Sequence, residues 1–156
     1  MCQGLAQKIS IRLSDQYQTT KLVEIKTATL LSKFFSESAK KVEEIFQTLC
    51  RMCEEDADTF TCVLIDEVES IASSRENVVN NGESQDALRA TNALLTGIDR
   101  IKVYPNIIVL CTTNLLNDLD PAFLDRCGVR QEIESPSIRS QYTILCSRIR
   151  GLADRG

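Results

Sequence analysis

The 156-residue chain contains no histidine, which excludes every mechanism that uses an imidazole as general base or as partner of a nucleophile. It has no apolar run long enough to span a bilayer, so no membrane partner is expected. It also lacks a block of lysine and arginine, and its formal net charge is -4. Direct binding of nucleic acid is therefore not expected, because that function normally needs a basic surface. Its first residues also lack the design of a signal peptide.

The seven cysteines are odd in number and scattered along the chain. Two of them, Cys62 and Cys111, fall in apolar stretches, which favours reduced thiols and a cytosolic or nuclear location. Cys50 and Cys53 form a single CxxC pair, and a zinc site would need two further cysteines from elsewhere. The alternative is that both are small apolar residues one turn apart on a helix.

The most informative stretch is residues 61–70, Thr-Cys-Val-Leu-Ile-Asp-Glu-Val-Glu-Ser. Residues 62–65 are apolar and predict a buried strand of a parallel sheet. Asp66 and Glu67 follow at its carboxyl end, where open α/β sheets bind ligands. Asp66 suits Mg²⁺, which prefers oxygen ligands, and Glu67 could polarise an attacking water. This is how a Walker B segment works; the alternative is a strand followed by a solvated acidic turn.

Further strands are predicted at residues 22–25, 107–111 and 131–133. The strand at 107–111 is apolar on both faces and ends in Thr112-Thr113-Asn114. A helix separates it from the strand at 62–65, which gives βαβ topology and a parallel sheet. The fold class is therefore α/β, with the sheet flanked by helices.

Helices are predicted over residues 5–11, from about 38 to 53, from 68 to 74, after Ser84, at 121 and after 136. Ser36 or Ser38 is expected to cap the second helix and Ser84 the fourth, and Pro121 suits the first position of a short turn. The apolar faces of the three longest comprise Val42, Ile45, Phe46, Leu49 and Cys53; Leu88, Thr91, Leu94, Leu95 and Ile98; and Ile138, Tyr142, Leu145 and Ile149.

Four features occur in a fixed order: a strand with Asp-Glu, a strand with Thr-Asn, an Asp-Pro-Ala turn carrying Arg126, and a Ser-Pro-Ser helix start. This order resembles the AAA+ ATPases. The resemblance implies ATP and Mg²⁺ as cofactors, with Asp66 and Glu67 as Walker B and Asn114 as sensor 1, which holds the attacking water. Arg126 then matches the arginine finger, which neutralises charge developing on a neighbour's γ-phosphate. Alternatively, Arg126 pairs with Asp125 or Glu132, and Arg130 is a weaker finger candidate.

Residues 32–38, 63–70 and 98–102 look like the pachytene checkpoint protein 2 family within this class. That family forms hexameric rings that pull on HORMA-domain proteins, with an adaptor, in meiotic and spindle checkpoint control. The resemblance implies that Lys33 and Phe34 lie in a pore loop that grips substrate. It also implies homo-hexamers of complete subunits, located in the nucleus, on chromosomes and in the cytoplasm.

The sequence departs from the family in having no GxxxxGK[ST], the Walker A loop that cradles phosphates. We therefore expect an incomplete AAA+ sandwich without its first strand, in which residues 2–10 are what remains of the first helix. The missing strand should leave a gap inside the sheet and expose the apolar strands at 62–65 and 107–111. We expect such a fragment or short isoform to be poorly soluble alone and to bind ATP weakly.

Residues 1–135 are assigned to a partial large α/β subdomain and residues 136–156 to the first helix of the lid. Because of the missing loop, whether this chain is itself an enzyme stays open. One alternative is a non-catalytic interaction module that joins a ring of complete subunits. Another is a different AAA+ class, such as a microtubule-severing enzyme; the acidic charge and aromatic loop disfavour a clamp loader.

Overall fold

A computed structural model describes residues 2–27, 37–73 and 85–153 of the chain. Lys33 and Phe34, which were expected to lie in a pore loop, and the proposed caps Ser36 and Ser84 lie outside these residues. The helices are α1 (Cys2–Arg12), α2 (Ser38–Glu55), α3 (Gln85–Ile101), α4 (Pro121–Leu124) and α5 (Ile138–Ala153). The strands are β1 (Thr19–Lys26), β2 (Thr59–Asp66) and β3 (Ile107–Cys111), and short 3₁₀ turns cover Val68–Ser70 and Leu116–Asp118.

The three strands form one parallel sheet in the order β1-β2-β3. The pairing places Ile65 of β2 opposite Ile25 of β1 and Cys111 of β3, so the strands end at nearly the same level. The expected α/β class and parallel sheet are confirmed. The expected gap inside the sheet is wrong for the described residues, because the three strands are consecutive neighbours and β2 is paired on both sides.

The core lies between the sheet and the helices α2 and α3, which pack against each other. The predicted apolar face of α2 is confirmed, since Val42, Phe46, Leu49 and Cys53 are buried. Gly97 of α3 meets Phe46 so closely that a Cβ built on the glycine would lie 2.3 Å from the ring. Helix α1 contacts β2 as well, and its Ala6 is buried.

Burial of the strands differs from the expectation of two exposed apolar strands. Residues 62–65 of β2 are at most 8% exposed, because β1, β3 and the helices cover them. Strand β3 is half-buried along its whole length, since among the described residues it pairs with β2 alone. The expectation was thus wrong for β2 and holds in part for β3.

Three local predictions are corrected. Residues 131–133 do not form a strand: they are exposed, and no described strand pairs with them, so neither a ladder nor burial stabilises that conformation. The helix expected from 68 to 74 is only a 3₁₀ turn, after which Ser73 forms an isolated bridge with Leu119. Ser38 is the first helical residue of α2 rather than its cap, which is Glu37 without a capping side-chain bond.

Helix α5 forms as predicted, but its apolar residues face solvent in the described part of the chain. Ile138, Tyr142, Leu145 and Ile149 are all more than half exposed. None of the described helices is long and apolar enough to cross a membrane.

Candidate functional site

The acidic pair lies where β2 leaves the sheet, and both side chains are exposed. Asp66 is the last residue of the strand, and Glu67 has φ 53° and ψ 51°. Glu67 is the only described residue other than glycine with positive φ, a conformation that L-residues adopt rarely. Something must therefore hold the backbone in this turn.

Thr112, the residue after β3, holds one side of the turn. Its N–H donates to the Ile65 carbonyl at 3.0 Å, and its carbonyl accepts from the Val68 N–H at 3.0 Å. Its hydroxyl donates to Asp66 Oδ1 in a short hydrogen bond and accepts from the Glu67 N–H at 3.2 Å. Thr112 thus contacts four consecutive residues of the β2 end, 65 through 68, and fixes one oxygen of the Asp66 carboxylate.

Thr27, which follows β1, holds the other side. Its Oγ1 lies 2.8 Å from the Asp66 carbonyl oxygen and 3.0 Å from that of Glu67, and its hydroxyl donates to this pair. Thr27 is only 1% exposed, so its hydroxyl and the hydrogen bonds that it makes are shielded from solvent. The acidic turn is therefore bonded to residues that follow both neighbouring strands.

Asn114 lies at the same edge of the sheet, two residues beyond Thr112, with an exposed side chain. Its backbone N–H donates to Glu69 Oε1 at 3.3 Å, which ties its loop to the 3₁₀ turn after the acidic pair. The other oxygen, Glu69 Oε2, is buried without a hydrogen-bond partner among the described residues. The structure thus brings Asp66, Glu67 and Asn114 together at one edge.

Arg126 does not join them through any contact in the described chain; it pairs with Asp99 at the end of α3. Its Nε lies 3.0 Å from both Asp99 oxygens, and Nη2 lies 2.7 Å from Oδ2. Nη1 donates to the Ala122 carbonyl at 2.8 Å. Hydrogen bonding to Arg126 lowers the pKa of the Asp99 carboxyl, and the same contact raises the pKa of Arg126. Asp99, rather than the Asp125 or Glu132 considered above, is its ion-pair partner.

The turn before Arg126 forms as predicted. Pro121 is the first residue of α4, and the Asp120 side chain caps the helix by accepting from the Ala122 N–H at 2.7 Å. Arg130, the weaker finger candidate, donates from Nη2 to the Leu124 carbonyl. Both arginines are thus bonded to α4.

The CxxC pair lies on α2, where Cys53 is buried in the core and Cys50 packs at its margin. Burial raises the pKa of the Cys53 thiol, which opposes the thiolate form that a metal needs. Within residues 2–27, 37–73 and 85–153, no group of three or more potential ligands is placed to hold a metal ion.

The acidic pair nevertheless fits Mg²⁺ in its donor chemistry. Mg²⁺ in nucleotide sites is usually held by one or two carboxylates together with phosphate oxygens and water. Thr112 occupies one oxygen of the exposed Asp66 carboxylate, which leaves the other free to face a hydrated cation. This chain would supply only part of the coordination, and the nucleotide would supply the rest.

Comparison with known proteins decides the family. The model of the family described as "ATPase family associated with various cellular activities (AAA)" matches residues 1–135. The chain belongs to this AAA family. Among curated relatives, it is 43% identical over 155 residues to "Pachytene checkpoint protein 2 homolog" of Danio rerio, covering 99% of this chain and 36% of the relative. It is 44% identical over 156 residues to "Putative pachytene checkpoint protein 2" of Caenorhabditis elegans, covering 100% and 37%.

Two solved structures resemble this member of the AAA family. "Structure of C. elegans PCH-2" matches 99% of this chain and 37% of its own, with a TM-score of 0.78 and 41% identity. "Structure of E. coli MS115-1 HORMA:CdnC:Trip13 complex" matches 97% and 50%, with a TM-score of 0.75 and 26% identity. The expected resemblance to the pachytene checkpoint protein 2 family is confirmed. The chain spans about a third of the length of the curated relatives described above.

Sequence reasoning missed the residues that hold the site: Thr27, Glu69, Asp99 and Thr112. Thr112 was noted only as part of the polar end of β3. The signal that would have found it is register, because Ile65 pairs with Cys111 and Thr112 therefore stands beside Asp66. Likewise Lys26 pairs with Asp66, which puts Thr27 beside Glu67.

Proposed function

We propose that this chain carries the hydrolytic part of the ATP site of an AAA+ remodelling subunit. The observation that supports it is the acidic pair at the carboxyl end of the middle strand, bonded to the residues that follow both neighbouring strands and next to the Asn114 loop. In this proposal Asp66 faces Mg²⁺, Glu67 activates the water, Asn114 orients it, and Arg126 acts on a neighbour's γ-phosphate.

The roles follow from the side chains. ATP would supply the phosphoryl group, and Mg²⁺ would neutralise charge on the phosphate oxygens. The exposed Glu67 carboxylate accepts a proton from the attacking water, while the Asn114 amide provides a donor and an acceptor that can fix its orientation. Arg126 must leave Asp99 to act on another subunit, which makes its role depend on assembly.

The proposed substrates are HORMA-domain proteins. The supporting observations are the 26% identity to the solved complex whose printed name includes a HORMA protein and Trip13, and the names of the curated relatives. We extend this to a homo-hexameric ring with an adaptor, working in checkpoint control in the nucleus and cytoplasm, with Lys33 and Phe34 gripping substrate in the pore. Residues 1–135 would form part of the large subdomain, and 136–156 would begin the lid.

The test uses the full-length protein that contains this chain. We expect Mg²⁺-dependent ATP turnover and ATP-driven dissociation of a HORMA-domain complex, both abolished in Glu67→Gln. Glu55→Gln, at the exposed end of α2, is the matched control and should retain both activities. Turnover unchanged in Glu67→Gln would overturn the proposal, and so would the absence of any turnover in the wild type.

A second candidate is a non-catalytic interaction module of the same fold. Such a module would join complete subunits and offer Arg126 to a neighbouring site. It predicts that the 156-residue chain changes the ATPase rate of a complete ring without hydrolysing ATP itself. The similarity to pachytene checkpoint proteins favours either candidate over a microtubule-severing enzyme.

A further inference from the structure

We propose that Thr112 and Thr27 are positioning residues for the acidic pair: two threonine hydroxyls, one after each neighbouring strand, set the Asp66 carboxylate and the left-handed backbone of Glu67. The inference rests on the proposed function for its catalytic consequence. Its structural consequence, the rigidity of the turn, can be measured independently.

The Thr112 hydroxyl acts on the acidic pair both as a hydrogen-bond donor and as an acceptor. It donates its single hydrogen to Asp66 Oδ1 and accepts from the Glu67 N–H at 3.2 Å. Among the described residues, no other side chain donates to the Asp66 carboxylate. The rotation of that carboxylate, and hence the direction of its second oxygen, therefore depends on this one hydroxyl.

The Thr27 hydroxyl acts on the backbone instead. It lies within 3.0 Å of two consecutive carbonyl oxygens, those of Asp66 and Glu67, which brings both peptide groups to face the same point. The two carbonyls belong to the peptide groups on either side of Glu67, whose φ is 53°, so the contact acts directly on this left-handed turn. The Glu67 carbonyl also accepts from the Ser70 N–H at 3.0 Å, so losing the Thr27 hydroxyl removes one of its two donors. Since Thr27 is buried, losing its hydroxyl also deprives the Asp66 carbonyl of a side-chain donor and removes a contact that holds the unusual turn.

Together the two residues connect all three strands at the level of the site. Thr27 follows β1, the acidic pair follows β2, and Thr112 follows β3. A side chain that must act on a bound ligand needs its support fixed to a fraction of an ångström. Supporting partners of metal-binding residues typically contribute 10- to 100-fold to metal affinity or activity.

The test compares Thr112→Val with Thr112→Ser, and Thr27→Val with Thr27→Ser, in the full-length protein. Valine keeps the branched shape and removes the hydroxyl, whereas serine keeps the hydroxyl. Thr59→Val is the control, because Thr59 is buried like Thr27 and bonds through its hydroxyl to Asp56 (2.7 Å) and Thr19 (3.1 Å), at the opposite end of β2. The Thr59→Val variant should lose stability without any change in the turn at Asp66 and Glu67.

Two readouts separate positioning from general stability. For Thr112→Val we expect turnover to fall about 10- to 100-fold, with a raised Mg²⁺ concentration for half-maximal rate and little change in the KM for ATP. Thr112→Ser should recover most of the loss. Amide hydrogen exchange of the peptide containing Glu67 and Val68 should become faster in Thr112→Val and Thr27→Val, and stay unchanged in Thr59→Val.

The inference is overturned if the wild type hydrolyses ATP and Thr112→Val matches it in turnover and Mg²⁺ dependence. It is also overturned if exchange of the turn is unchanged in both valine variants. If Thr112→Val does not fold, Thr112→Cys takes its place in the test. Because an S–H group is a weak donor, its activity should lie below that of Thr112→Ser but above that of an inactive site. Wild-type activity of Thr112→Cys would refute the positioning role of Thr112. A wild type without turnover refutes the proposed function, while the exchange measurement still tests the positioning.

Discussion

Arg126 and Asp99 form a bidentate ion pair that fastens α4 to the end of α3 within one chain. The guanidinium presents two nitrogens to the carboxylate, the geometry in which arginine binds carboxylates most strongly. The same side chain is the proposed finger for a neighbouring subunit. One guanidinium cannot fill both roles at once, and the two roles predict different results when Arg126 is substituted.

The first prediction concerns Arg126→Ala in the full-length protein. If Arg126 is a finger, turnover should fall by roughly 10²-fold or more, given the 10³- to 10⁵-fold effects of arginine fingers. ATP affinity should change far less, because the finger acts mainly on the transition state. Mixing Arg126→Ala with Glu67→Gln subunits should restore some activity, since some interfaces then pair an intact Glu67 with an intact Arg126.

A purely structural Arg126 predicts lower stability, impaired assembly and no rescue on mixing. Arg89→Ala, on the exposed side of α3, is a suitable control because Arg89 pairs only loosely with Asp86, at 3.7 Å. ATPase rates and thermal transitions of the two single variants and their mixture decide between the roles. Full activity of Arg126→Ala would shift the finger assignment to Arg130.

The second prediction concerns Asp99→Asn. Because Arg126 lowers the pKa of Asp99 from its ordinary 3.8, the ion pair stabilises the fold above that value, and this contribution is lost as the pH falls through the lowered pKa. The melting temperature of Asp99→Asn should therefore lie below that of the wild type at neutral pH. The two should converge in acid and, since the pair is exposed, also in high salt. Equal melting temperatures at pH 7 in low salt would show that the pair does not contribute.

The third prediction concerns Gly97. A Cβ there would lie 2.3 to 2.8 Å from three ring atoms of Phe46, which is 2% exposed and enclosed between α2 and α3. Gly97→Ala should therefore destabilise the protein by about 1–3 kcal/mol, the usual cost of overpacking a core. Gly151→Ala in α5 is the control: nothing lies within 4 Å of its Cβ, so alanine should be neutral or stabilising. Denaturant unfolding that ranks the two variants equally would contradict the close packing.

The fourth prediction concerns Asn106, a buried residue just before β3. Its Nδ2 lies 3.2 Å from each of three carbonyl oxygens, those of Cys53, Asp56 and Thr59, and so ties the end of α2 to the start of β2. Asn106→Leu should destabilise by about 1–3 kcal/mol, because it removes a buried donor from three carbonyl oxygens, of which that of Asp56 also accepts from the Thr59 N–H. Gln47→Leu, on the exposed face of α2, should change stability little. Equal unfolding midpoints for the wild type and Asn106→Leu would contradict this account.

The sequence predicted the features that rest on local pattern. The apolar strand at 62–65, the amphipathic face of α2 and the short turn that begins at Pro121 all formed, because hydrophobic periodicity and turn chemistry depend on residues close together in sequence. The prediction of a strand at 131–133 was wrong because a strand requires a pairing partner, which the local sequence does not reveal. Partner choice was also missed: Asp99 lies 27 residues from Arg126, and Thr112 reaches Asp66 only through the register of β3 on β2.

The measurement that tests the central claim most directly separates ATP binding from hydrolysis in Glu67→Gln. In the full-length protein, the amide should leave Mg²⁺–ATP affinity nearly unchanged, since in the proposed site Asp66 rather than Glu67 faces the cation. It cannot accept a proton, so single-turnover hydrolysis should fall by at least about 10²-fold, the lower range for a general base. Asp66→Asn should weaken Mg²⁺-dependent binding as well. Hydrolysis at the wild-type rate in Glu67→Gln would show that Glu67 is only an exposed turn residue.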